Sequence, residues 1–190
     1  MDYIDEIDNL GACCDAIDWL RAEQHPTIAA AWAACNRGDW MLWLAGHCAG
    51  PVGDPRRVPL ALAAADCAEL ALPHVAPGDG RPRQTIDTLR AWARGEATID
   101  EVRAAAWASA DAASAAGAAR AAAMSAAAAD AAWVAAARVA WVAADAAKSA
   151  ADWVAGADAW AAARAATLAQ CADIVRRHYP EPPTLPVLPV

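Results

Sequence analysis

The chain has no phenylalanine and only two tyrosines, and no threonine occurs between Arg103 and Ala166. The missing threonines exclude an ice-binding alanine helix, which would carry them at regular spacing. No CxxC pair is present, and four histidines (His25, His47, His74, His178) and six cysteines keep no zinc-ligand spacing. We therefore expect no metal and no cofactor. A GxSxG elbow, a P-loop and a dinucleotide fingerprint are all missing, although "GPVGDPRR" and "GDGRPR" set glycines near arginines. No enzyme class is indicated. Charges interrupt the apolar runs about every seven to ten residues, so no membrane span is expected. The start, "MDYIDEIDNL", is acidic where a secretion signal would be basic, which points to reduced thiols in a cytoplasm.

What the chain does have is acid, alanine and tryptophan. Net charge is −8 over 190 residues, and Asp2, Asp5, Glu6, Asp8, Asp15, Asp18 and Glu23 face Arg21 alone in the first 24. Without a lysine-rich run to neutralise phosphates, nucleic acid is a poor partner, and a basic protein suits the charge better. Arginines gather in mid-chain. Arg56, Arg57, Arg81 and Arg83 sit in or beside two loops and are candidates for one basic patch that binds an anion or partner.

Capping signals divide the first half into short helices. "DEIDNLGACCDAIDWLRAEQ" reads as an amphipathic helix starting near Gly11. Thr27 caps a short helix through Trp32 that Gly38 is expected to end, and Asp39 is expected to cap the next. The tripeptide Arg37–Asp39 matches an adhesion motif, but reads better as helix-end chemistry. "MLWLA" (41–45) is apolar all round and should be buried. Further helices are expected over "LALAAADCAELAL", stopped by Pro73, and over "RQTIDTLRAWARG", closed by Gly95. Thr98 and Glu101 have the spacing of a capping box at the head of another.

From Ala104 to Ala166, 38 of 63 residues are alanine, the best helix former. One straight helix over that span would be roughly 95 Å long, against a radius of gyration of about 16 Å for a compact chain of this length. The tract is therefore expected to fold back at Gly117 or Gly156, as helices near 98–116, 118–155 and 157–177. A methyl group gives little core, whereas a buried indole removes about 150–250 Å² from water. Trp107, Trp133, Trp141, Trp153 and Trp160 are the expected anchors, with Asp130, Asp145, Asp152 and Asp158 as acceptors for their N–H groups. Trp133 and Trp141, beside Asp145 and Lys148, are the tract's candidate binding residues. The fold class is thus all-α: a compact bundle with a long alanine- and tryptophan-rich hairpin. One helical domain spans 1–178 (short helices over 1–97, alanine-rich helices over 98–178), followed by an extended proline-rich tail over 179–190.

Four stretches carry a family resemblance: "CNRGDWMLWLAG" (35–46), "LALAAADCAELALPHV" (60–75), "RPRQTIDTLRAWARGEAT" (81–98) and "TLAQCADIVRRHYPEPP" (167–183). In order and wording they resemble the alanine-rich, immunity-protein-five-like proteins of bacteria and their phages, over roughly residues 29–183. Where such relatives often space tyrosines through the alanine tract, this chain has tryptophan and valine. The resemblance implies an all-helical, non-enzymatic protein that neutralises a toxin or effector by binding it. It brings no established site residue. The alternative is a binder of a phosphorylated small molecule, such as a nucleotide signal, with indoles stacking a base and arginines holding phosphate. Homo-oligomers are compatible with either.

Overall fold

The computed structural model of the chain describes residues 2–51, 54–75, 77–108 and 157–186, and every regular element in them is helical. The first half holds α1 (Tyr3–Asn9), α2 (Cys14–Glu23), α3 (Ile28–Ala34), α4 (Gly38–Cys48), α5 (Arg57–Glu69) and α6 (Arg81–Ala93). After them come α7 (Ile99–Ala108) and α8 (Ala157–His178). The expected helix 118–155 and both turning glycines lie outside the described residues. So do Trp133, Trp141, Trp153, Asp130, Asp145, Lys148 and Asp152, together with the side chains of Trp107, Asp158 and Trp160. No helix among the described residues is long and apolar enough to cross a membrane.

Helix ends follow the local chemistry in several places. The Thr27 hydroxyl accepts from the Ala30 N–H at 3.1 Å, an N-cap in the expected place. Thr98 and Glu101 form a reciprocal capping box: the Thr98 N–H donates to the Glu101 carboxylate at 2.7 Å, and the Glu101 N–H donates to the Thr98 hydroxyl at 3.2 Å. Gly95, left-handed at φ +76°, closes α6 as expected.

The entrance to α4 corrects the sequence reading. Gly38 does not end α3, which stops at Ala34, and Asp39 does not cap α4. Gly38 is instead the first residue of α4, pressed against α8. A Cβ built there would lie 2.6 Å from the Ala172 backbone nitrogen, and closer still to the Cys171 side chain. Tertiary approach, rather than capping, selects glycine at this position. The amphipathic helix expected from near Gly11 is α2; ahead of it lies an unexpected helix, α1, which packs on α2 and is separated from it at Gly11 (φ +87°).

α5 sits at the centre, in contact with α4, α6 and α8, while α7 packs on α6. Leu60, Ala61, Ala63, Ala64, Ala65, Cys67 and Ala68 are all buried, so α5 is covered on nearly every side. Its small side chains let three neighbours approach one axis. Leu42, Leu89, Val102 and Val175 complete the core from α4, α6, α7 and α8. Residues 179–186, after α8, have no regular structure, and Tyr179 and Leu185 remain packed against the core.

Candidate functional site

Beside this core, α1 to α4 enclose a second apolar space. Trp19 and Leu20 from α2, Trp32 from α3, and Trp40, Met41 and Trp43 from α4 line a cavity of about 210 Å³, partly open to solvent. The lining includes no charged side chain. Filled with nothing better than water, such a space leaves its apolar lining short of packing partners. The small residues Ala12, Ala16 and Ala31 also line it and leave the room the indoles do not fill.

The indoles are held from outside. Trp19 sits between His25 and Trp40, with ring centroids 5.5 and 5.9 Å away. The Arg37 guanidinium lies over the Trp40 ring at 4.0 Å and donates two hydrogen bonds, at 2.9 and 2.7 Å, to the buried Asp39 carboxylate. Burial works against the Arg37 charge, and the hydrogen bonds to Asp39 overcome it, so its pKa is raised. The arginine–glycine–aspartate sequence is thus an internal clamp for Trp40. Trp40 Nε1 and His25 Nε2 lie out of solvent with no hydrogen-bond partner among the described residues. The Cys35 thiol, also in the lining, donates to the Arg37 carbonyl at 3.7 Å. Burial pushes its pKa up, which makes it a poor nucleophile.

Carboxylates flank the cavity. Asp2, Asp5, Asp8, Asp15, Asp18 and Glu23 of the α1–α2 segment are exposed, while Ile7 and Ala16, next in sequence to Asp8 and Asp15, line the space. Among the described residues only Asp8 has a cation close by, Arg21 at 3.2 Å, in a pair open to solvent and so of little energetic weight.

The four arginines expected to form one patch do not do so. Arg83 and Arg90 of α6 reach Glu69 near the end of α5, which makes α5 and α6 an antiparallel hairpin. Arg56 and Arg57 therefore stand at one end of the hairpin and Arg81 and Arg83 at the other. Each charge also has local work. Arg56 pairs with Asp54 at 2.7 Å, Arg81 with Asp79 at 2.8 Å, and Arg83 with Glu69 at 2.7 Å. Arg57 is buried and donates from Nε to the Gly50 and Pro51 carbonyls. None of the four lines the indole cavity. The signal against the patch was present in the sequence, since Asp54 and Asp79 each stand two residues before their arginine.

Sequence reasoning missed the cavity itself. Four of the ten tryptophans fall between 19 and 43, interleaved with alanines, and that clustering was the available sign. No family model, curated protein or solved structure matches this chain.

Proposed function

We propose that the chain is a non-enzymatic binding protein of the inhibitor or immunity type, acting in the cytoplasm in bacterial or phage conflict. In this reading it neutralises a basic toxin or effector by occlusion. One observation carries the reading: the run of exposed carboxylates on α1 and α2, with Arg21 their one ion-pair partner among the described residues. Such a face steers a basic partner into contact and rejects acidic ones. The motif resemblance supports the same class. The mid-chain arginines, each engaged within its own hairpin end, favour a structural role over phosphate capture.

Growth rescue tests the proposal. The chain is co-expressed with a panel of basic toxin domains, alongside a variant carrying Asp5→Lys, Asp15→Lys and Asp18→Lys. Rescue by the native chain from at least one toxin, lost in the charge-reversed variant, is expected. Failure to rescue from any toxin, or equal rescue by the reversed variant, overturns the reading.

A further inference from the structure

We infer that the indole-lined cavity among α1 to α4 is a binding site for a small uncharged aromatic compound, of the size of one ring or a fused pair. This inference stands apart from the inhibitor reading, which rests on surface charge and needs no cavity.

Three observations select that ligand class. Size comes first. An apolar cavity of about 150 Å³ in a protein core takes up benzene, and the space here, at about 210 Å³, has room for a somewhat larger ring system. Lining chemistry comes second. Trp19, Trp32, Trp40 and Trp43 offer flat faces and edges, against which an aromatic ring gains offset or edge-to-face contact beyond simple area burial. Charge comes third. No lining side chain carries a charge, so an ionised ligand would leave water without a counter-ion, and the nearby carboxylates further disfavour an anion. Arg37 does not change this balance, because Asp39 already takes its guanidinium in two hydrogen bonds.

The cavity is also held ready. Trp40 is clamped between the Arg37 guanidinium and the Trp19 ring, and the Trp32 indole N–H is fixed on the Tyr179 carbonyl at 3.0 Å. A ligand entering here does not have to order those rings first, which is the usual advantage of a preformed pocket.

The probe is 5-fluoroindole, followed by fluorine NMR and by calorimetry on the full chain, with indole-3-acetate as the anionic comparison. Saturable binding of 5-fluoroindole is expected, with indole-3-acetate at least about tenfold weaker because of the uncompensated charge. Two variants that fill the space from within, Ala31→Leu and Ala16→Leu, should each abolish binding while keeping the native helical content and without lowering the melting temperature. Two are used so that a packing fault in one does not decide the matter. No saturable binding to the native chain, undiminished binding to a folded filled variant, or equal binding of indole-3-acetate overturns the inference. Loss of toxin rescue in the charge-reversed chain with 5-fluoroindole binding intact, or the reverse, separates this site from the proposed inhibitor surface.

Discussion

The Trp32 indole N–H donates to the main-chain carbonyl of Tyr179 at 3.0 Å, joining α3 to the residue that follows α8. Arg176, one turn back, returns the connection by donating to the Trp32 carbonyl at 3.3 Å and to the Cys35 carbonyl. One arginine and one tryptophan thus satisfy carbonyl groups at the end of each other's helix. The Trp32→Phe substitution keeps most of the ring and removes the donor. It should destabilise the fold by about 1 kcal/mol, the low end for stranding a partly buried acceptor, measured by urea unfolding.

Gly38→Ala is expected to be more damaging than a helix propensity scale suggests. Alanine normally favours a helix over glycine, but here the added methyl meets the α8 backbone at Ala172. Backbone cannot rotate away as a side chain can. Overpacking of this kind costs about 1–3 kcal/mol, so chemical denaturation should show a loss where propensity alone forecasts a gain. A stabilised variant would show that α4 and α8 sit further apart.

Acid should weaken the contact of α5 with α6 and α8. Asp66 accepts from Arg90 at 2.5 Å and faces His178 at 2.8 Å, while Glu69 accepts from Arg90 and Arg83, both at 2.7 Å. Burial pushes the Asp66 carboxyl up, but the hydrogen bonds from Arg90 and His178 outweigh it and lower its pKa; Glu69 is lowered chiefly by its bond from Arg90. Folded values below the unfolded ones mean that the stabilisation is complete above the ordinary carboxylate range. It is then lost as pH falls through the lowered values. Asp66→Asn should therefore cost roughly 1–2 kcal/mol at neutral pH. Its urea midpoint should converge on that of the native chain as pH falls below the ordinary carboxylate range. A gap that persists at acid pH would mean that packing, and not charge, is what the variant lost.

The head of α7 offers a local test. Thr98→Ala removes one half of the capping box and Glu101→Gln weakens the other. The first should cost about 1 kcal/mol, and the second less. Amide exchange should accelerate in the first turn of α7 ahead of the core.

Helix ends set by local side-chain or backbone chemistry were legible in the sequence. Thr27, the pair Thr98 and Glu101, and Gly95 each act through neighbours within four positions, so spacing alone finds them. The burial of α4 was legible too, because Met41, Leu42, Leu44 and Ala45 leave it no polar side. Gly38 was misread since its reason lies on α8, more than 130 residues later. α1 was missed because seven residues give little periodicity, although Ile7 is buried and Ile4 packs on the same core. The arginine patch failed on topology: adjacency of loops in the sequence says nothing about which end of a hairpin each occupies. As for the cavity, tryptophan and alanine between 19 and 43 announce packing, but whether bulk and gap cancel depends on how four short helices cross.

α8 is late in the chain yet lies against α4 and α5, and its last residues bind α3. A ribosome making this protein would release α1 to α6 long before the helix that covers them. During that interval the faces of α4 and α5 that await Cys171, Ala172 and Val175 stand uncovered in the nascent chain. Helices alone are quick to form, but a contact that must wait for so distant a stretch closes slowly.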